Sequence, residues 1–300
     1  MNEKLRVVVL EGGLSQERAV SLQSGRAVTA ALRQLGYPVE EIDLKEAEVL
    51  IPDGTDIVFL CLHGTFGEDG QVQRLLLRRG IPFTGSGAEA SERAFDKSWS
   101  KEVFQKVGVP TPNWALARSA DQLPLPLPFV IKPARQGSSF GVSRVFQKEE
   151  YPEAYAKAQA EDHLVVAESY IEGRELTVGI LGDELLPIVE IRPKTGFYDY
   201  RNKYTAGASD YLCPAPLSPG QARAAAEAAL AGYRALGCTV YGRVDVFLDA
   251  DGKPWVLEVN TIPGMTETSL LPKAAQAAGI AFPQLCERVL RLSWLKRREA

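Results

Sequence analysis

The stretch Tyr241-Gly-Arg243-Val-Asp245-Val-Phe247-Leu-Asp249-Ala-Asp251-Gly252-Lys253-Pro254-Trp-Val-Leu-Glu258-Val-Asn260 reads as two strands joined by a turn. Asp251-Gly252 between two strand-like runs is a strong two-residue hairpin signal. With those residues at the turn, Ala250 faces Lys253, and counting outward sets Asp245 opposite Glu258 and Arg243 opposite Asn260. Both pairs are expected to be of the non-hydrogen-bonded kind, where side chains approach closest. Pro254 then falls where a missing N–H costs no ladder bond. By period two, Arg243, Asp245, Glu258 and Asn260 project from one face. Opposed carboxylates repel, and a cation between them relieves the repulsion. Asp, Glu and Asn oxygens are hard ligands of the kind magnesium accepts beside phosphate oxygens. On pattern alone, a metal site and a solvated polar face with Arg243 neutralising one acid fit equally well.

Working outward, the apolar run Phe129-Val-Ile-Lys132 predicts a strand that ends on a lysine. It leads into the loop Gly137-Ser138-Ser139-Phe140-Gly141 and a strand at 142–146. Small residues let backbone N–H groups approach an anion, and the lysine adds charge. No Gly-Lys-Ser/Thr follows the glycines, so this is not a Walker A loop; alone, a glycine hairpin with an extended lysine is the simpler reading. The alternation Leu-Pro-Leu-Pro-Leu-Pro at 123–128 is extended and cannot be helical. A helix near 151–160 and a strand at 164–168 complete an α+β unit. Downstream, strands are expected at 175–182 and 184–192, a helix near 219–236, and final helices carrying Leu270-Leu271 and then Leu285, Val289 and Leu290.

Toward the N-terminus, Val7-Val-Val-Leu10 is a continuous apolar run, as a strand buried on both faces requires. Its brevity reads as a first strand rather than a leader peptide. Ser15 is the expected N-cap of a helix with Glu17 in its first turn, and 39–44 and 56–62 read as the next strands. This part reads as an open α/β sheet with crossover helices. His63 ends the third strand, where ligands gather in such sheets, although one histidine there is more often an ordinary hydrogen-bonding residue. Glu11-Gly12-Gly13-Leu14 does not match GxGxxG, so the dinucleotide fingerprint is missing.

The chain has 300 residues, 45% hydrophobic and 24% charged, enough to bury a large core as about two domains; the alternation changes character near 95 and 175, which suggests three. A net charge of −4 argues against sequence-independent nucleic-acid binding. No run approaches the roughly 18 apolar residues that span a bilayer. Cys61, Cys213, Cys238 and Cys286 form no CxxC pair, and with two histidines a zinc site is not expected. They read as reduced cytosolic thiols packed as small apolar groups.

Taken in order, these pieces resemble the D-alanine–D-alanine ligases of the ATP-grasp superfamily over nearly the whole chain. The resemblance is carried by Gly12-Gly-Leu-Ser-Gln-Glu17-Arg18, Leu62-His63-Gly64, Phe83-Thr-Gly-Ser-Gly87 and Asp96-Lys97. It continues through Ile131-Lys132-Pro-Ala-Arg-Gln-Gly137-Ser138-Ser139, Phe197-Tyr-Asp-Tyr200, Lys203-Tyr204 and Gly242-Arg243-Val-Asp245. Leu257-Glu258-Val-Asn260-Thr261, Pro263-Gly264-Met-Thr266 and Ser269-Leu270 close the series.

The resemblance implies an α/β and α+β chain with a three-domain ATP-grasp architecture. Its parts are an N-terminal open α/β (Rossmann-like) domain over 1–95, a small central domain over 96–174 and a C-terminal domain over 175–300. It implies ligation of two D-alanines through a D-alanyl phosphate, for peptidoglycan precursors in the cytoplasm, by a homodimer with no nucleic-acid or membrane partner. Lys97, Lys132 and Lys203 would meet ATP phosphates under the loop carrying Ser138. Glu168, Tyr170 and Ile171 would hold adenine, with Glu175 on the ribose. Asp245, Glu258 and Asn260 would hold two magnesium (or manganese) ions, and the resemblance leaves room for a monovalent cation such as K+. Glu17 would receive the first D-alanine's ammonium beside His63. Arg243 and the Gly264 amide would stabilise the oxyanion of the second step. Ser269 and the Leu270 amide would take the second carboxylate, and Glu17, Ser138 and Tyr204 would close the 195–218 loop.

Two positions depart from the family pattern: Ser169 stands where many relatives carry lysine, and Gln136 where an acid is common. Two other functions share much of this pattern: another ATP-grasp carboxylate–amine or carboxylate–hydroxyl ligase, notably of the D-alanine–D-lactate type, and a non-catalytic nucleotide-binding relative. Tyr204 favours the dipeptide product, since depsipeptide-forming relatives usually carry phenylalanine there. Retention of Arg243, Asp245, Glu258, Asn260 and Ser138 argues against lost catalysis.

Overall fold

The computed structural model describes residues 4–194 and 207–296. Its first sheet is parallel, in the order β2-β1-β3, built from β1 (Val7–Gly12), β2 (Val39–Leu44) and β3 (Ile57–Leu60). All six β1 residues are buried, as the unbroken apolar run requires. One face meets α1 (Arg18–Gln34) through Val28 and Leu32; the other meets α2 (Gln71–Arg78) through Val72 and Leu76. Two further helices, α3 (Ala88–Phe95) and α4 (Lys97–Val107), follow. The α4 start is well marked: the Asp96 carboxylate accepts from the N–H groups of Ser98 and Trp99 at 3.0 and 3.1 Å. Gly108 ends the helix in a left-handed conformation.

A four-stranded antiparallel sheet runs in the order β4-β7-β5-β6, from β4 (Trp114–Ala117), β5 (Phe129–Pro133), β6 (Ser143–Val145) and β7 (Val165–Ser169). Alternation decides what each face does. Phe129, Ile131, Val165 and Ala167 pack with Tyr151 and Tyr155 of α5 (Tyr151–Glu161). Lys132 and Glu168 therefore face the opposite way.

The largest sheet, also antiparallel, runs β11-β10-β8-β12-β13. Its strands are β8 (Gly173–Leu181), β9 (Glu184–Leu185, paired with β8), β10 (Val189–Pro193), β11 (Ser209–Leu212), β12 (Tyr241–Asp249) and β13 (Pro254–Asn260). Val244, Val246 and Leu248 pack against α6 (Pro219–Ala235), which leaves Arg243, Asp245 and Phe247 on the other face. A Ser218/Gln221 capping box starts α6. Finally α7 (Leu270–Ala277) and α8 (Phe282–Lys296) join a core containing Val7, Val9 and Val28 of the first unit and Leu181 and Ile191 of the large sheet. Cys61 and Cys286 are free thiols within that core, Cys238 is buried and Cys213 half-buried.

Several expectations need correction. The β12–β13 turn spans three residues, not two: the Asp249 and Lys253 backbones pair at 3.1 Å, with Gly252 left-handed at φ 80. The cause is Asp249, whose Oδ1 accepts from the N–H groups of Asp251 and Lys253 at 3.0 and 2.8 Å. This shifts the register by one, and a bulge between Asp245 and Val246 shifts it back. Arg243 therefore still faces Asn260, and Asp245 still faces Glu258. Helix α1 begins at Arg18, so Glu17 is its N-cap residue rather than part of its first turn. Ser15 does not cap it; its hydroxyl donates to the His63 carbonyl at 2.7 Å and accepts from the Glu17 N–H at 3.2 Å. The strand expected over 184–192 is broken into β9 and β10, since Pro187 between them cannot donate to a ladder.

Candidate active site

Two cavities flank the face of the large sheet that carries Arg243 and Asp245. The first, about 430 Å³, lies between it and the four-stranded sheet. Lys97, Lys132, Glu168, Tyr170, Ile171, Glu175, Asp245 and Glu258 all line it. Lys97 opens α4, and its ammonium donates to the Gln136 carbonyl at 2.9 Å and lies 3.2 Å from the Glu258 carboxylate. Burial pulls the Lys97 ammonium down, but Glu258 beside it outweighs this and holds its pKa above the usual value. Lys132 lies 2.8 Å from Oε1 of Glu168. Burial works to raise the Glu168 carboxyl, and the adjacent Lys101 and Lys132 overcome it, so its pKa falls. The Tyr170 ring meets Phe146 edge-on, centroids 5.2 Å apart.

The second cavity, about 540 Å³, is lined by Glu17, His63, Arg243, Asn260, Gly264, Ser269 and Leu270. Lys97, Gln136, Gly137, Ser138 and Glu258 line both cavities. Ser138 and Ser139 adopt left-handed backbone conformations (φ 50 and 60), uncommon for residues with a Cβ. The turn brings the Ser138 hydroxyl onto the Glu17 carboxylate, to which it donates. Gly137 lies so close to Glu17 that a Cβ there would come within 2.5 Å of a carboxylate oxygen. The α1 N-cap residue and the central loop are thereby joined across the mouth.

Arg243 grips Asp245 with a fork: Nε donates to Oδ1 and Nη2 to Oδ2, both at 2.9 Å. The Thr177 hydroxyl adds a 2.6 Å bond to the same Oδ1. The opposed acids thus each hold a protein cation, Arg243 on Asp245 and Lys97 on Glu258. Among the described residues no three His, Cys, Asp or Glu side chains cluster as a metal site. Asn260, opposite Arg243, accepts through Oδ1 from the Ile262 N–H at 3.1 Å. His63 lies 3.4 Å from the Ser24 hydroxyl, and burial lowers its pKa against the pull of Glu17. Ser269 is the N-cap residue of α7, so that helix opens at the cavity. A Cβ on Gly264 would stand 2.9 Å from the Ser269 hydroxyl.

Sequence reasoning passed over Glu68 and Lys101. Glu68 lines the second cavity and its Oε2 accepts from the Gly64 N–H at 2.6 Å. Burial, reinforced by Glu17, pushes its carboxyl up to about 8. The glycines at 64, 67 and 70 around it were the available signal. Lys203 and Tyr204 lie outside the described residues.

Two antiparallel sheets closing on a nucleotide-sized cavity, with a parallel α/β unit alongside, make an ATP-grasp protein. Residues 45–86 match the family model "D-ala D-ala ligase N-terminus" and residues 103–291 match "D-ala D-ala ligase C-terminus". A D-alanine–D-alanine ligase of Methylacidiphilum infernorum is 55% identical over 290 residues, covering 97% of this chain and 96% of that one. One from Syntrophotalea carbinolica is 45% identical, covering 98% of each. The crystal structure of the Bacillus anthracis D-alanine–D-alanine ligase complexed with ATP superposes with a TM-score of 0.87 at 36% identity, over 98% of this chain and 99% of that one. The chain belongs to the D-alanine–D-alanine ligase family.

Proposed function

We propose that this chain joins two D-alanines into D-alanyl-D-alanine, consuming ATP and releasing ADP and phosphate. The observation that carries the reading is the meeting of the two cavities at Lys97, Gly137, Ser138 and Glu258. A γ-phosphate on one side and a carboxylate on the other come together there.

Glu17, fixed by the Ser138 hydroxyl, takes the first D-alanine's ammonium, with His63 alongside. A carboxylate oxygen attacks the γ-phosphorus, the bond to the β-phosphate bridging oxygen breaks, and ADP leaves. Lys97 and Lys132 draw off charge as the phosphoryl group transfers. Tyr170, Ile171 and Glu168 hold adenine, and Glu175 the ribose. Lys203 and Tyr204 enter this reading on the resemblance alone. The second D-alanine, its carboxylate on Ser269 and the Leu270 N–H at the start of α7, attacks the acyl carbon as a free amine. Arg243 and the Gly264 N–H receive the oxyanion, which collapses and expels phosphate, the departing phosphate taking the proton that the amine nitrogen gives up.

Asp245, Glu258 and Asn260 supply three hard oxygens beside the phosphate lysines, a donor set suited to magnesium or manganese. Such ions neutralise charge on the phosphates. Asp245, Glu258 and Asn260 would hold them, while Lys97 meets phosphate and Arg243 the oxyanion. The same reading carries a division into three domains after residues 95 and 174, a homodimer in the cytoplasm, and a monovalent-cation dependence to be tested with K+. No helix among the described residues is long and apolar enough to cross a membrane.

The test is phosphate release from ATP and magnesium with D-alanine, L-alanine, D-alanine plus D-lactate, or no acceptor, with products identified by mass. Release that needs D-alanine and yields the dipeptide supports the proposal. A depsipeptide as the main product, or no D-alanine dependence, overturns it.

A further inference from the structure

Lys101 has no role in the reaction above, yet its surroundings are unusual. It lies one turn beyond Lys97 on α4, is 0% exposed, and lines neither cavity. Its ammonium donates to the Thr111 hydroxyl at 2.8 Å and lies 3.2 Å from Oε1 of Glu168. The Lys132 ammonium is 2.8 Å from that same oxygen. Thr111 in turn donates to the Val256 carbonyl at 2.8 Å, and the Val256 N–H donates to the Pro110 carbonyl at 2.7 Å. Lys101 therefore ties α4 and the four-stranded sheet to β13, the strand that carries Glu258.

The two lysines are not equivalent. Lys132 borders the cavity and can turn toward a phosphate; Lys101 is enclosed and cannot. Both ammonium groups approach the same oxygen, Oε1, at 3.2 and 2.8 Å, so the carboxylate can keep one cation while the other moves. A buried carboxylate stripped of its only cation is strongly disfavoured. With Lys101 in place, Lys132 can shift its charge to a phosphate while Glu168 stays paired. We propose that Lys101 is a positioning residue for nucleotide binding: it is the fixed counter-ion of Glu168 that releases Lys132 to the phosphates of ATP. Burial draws the Lys101 ammonium down to about 8, which leaves it charged at neutral pH as this role requires.

The proposal rests on the nucleotide reading of the first cavity, and the experiment separates the two. ADP with magnesium is titrated calorimetrically into the wild type, Lys101→Met, Glu168→Gln and the double variant, and KM values are measured for ATP and D-alanine. Lys101→Met is expected to weaken ADP binding and raise KM for ATP about tenfold, with KM for D-alanine changed less than about twofold. In the Glu168→Gln background the same substitution is expected to cost less than about threefold, because an uncharged residue 168 no longer captures Lys132. An equal penalty in both backgrounds, or ADP binding unchanged in Lys101→Met, overturns the proposal. Wild-type protein that binds no ADP overturns the nucleotide reading itself. If Lys101→Met does not fold, Thr111→Val keeps the charge but removes an anchor. It is expected to weaken ADP binding about threefold without moving KM for D-alanine, and no change there overturns the proposal.

Discussion

Replacing Arg243 with alanine removes two things at once. The guanidinium is held by a fork on Asp245, two bonds of 2.9 Å, so its direction is set before substrate arrives. A preorganised donor to a tetrahedral oxyanion is worth about 2.7–4 kcal/mol, and turnover should fall on the order of 10²- to 10³-fold. The substitution also leaves Asp245 without its cation opposite Glu258, so half-maximal activity should need less magnesium than in the wild type. ADP binding should survive, because Arg243 lines the second cavity and not the first. Arg243→Lys keeps the charge without the fork and should fall between wild type and alanine. The assay is steady-state phosphate release at saturating ATP and D-alanine, with calorimetric ADP titration as the control. Turnover of Arg243→Ala within about threefold of wild type would remove Arg243 from the second step.

Ser138→Ala deletes the hydroxyl that donates to Glu17; a hydrogen bond to a charged group is worth about 1.5–3 kcal/mol, so KM for D-alanine should rise roughly 10- to 150-fold, and an unchanged KM contradicts the role given to Glu17. Glu68 and Glu11 are carboxyls raised by burial from 4.5 to about 8 and about 7. The folded protein therefore holds protons that the unfolded chain has released, and these groups erode stability as pH climbs from about 4.5 to about 8. Glu68→Gln, which keeps an acceptor for the Gly64 N–H, should flatten that decline in a pH series of thermal melts. Parallel profiles for variant and wild type would contradict the buried, protonated state of Glu68.

The hairpin at 241–260 shows how far local sequence reaches. Alternation alone sets Arg243 and Asp245 on one face, and packing of Val244, Val246 and Leu248 on α6 enforces it. The opposition of Asp245 and Glu258 was legible although the turn was not, because the bulge after Asp245 cancels the one-residue shift. The turn itself depends on the Asp249 side chain, which also accepts from the Trp255 indole at 2.8 Å. That competition between side chain and backbone leaves no trace in a pattern of alternating residues. Glu17, Ser138 and His63 could be proposed from motifs, but their meeting depends on how three sheets pack. The left-handed turn at Ser138 and Ser139 is equally a tertiary effect. Lys101 follows Lys97 at helical spacing and no motif marks it; only the fold encloses it against Glu168 and Thr111.

The central claim is that a D-alanyl phosphate forms where the two cavities meet. D-alanine labelled with ¹⁸O in both carboxylate oxygens tests it directly. Attack of a carboxylate oxygen on the γ-phosphorus, followed by expulsion of phosphate, carries one labelled oxygen into each phosphate released. Mass spectrometry of the phosphate should therefore show one ¹⁸O per molecule of dipeptide made, in unlabelled water. Phosphate free of ¹⁸O, with dipeptide still formed, would contradict the account.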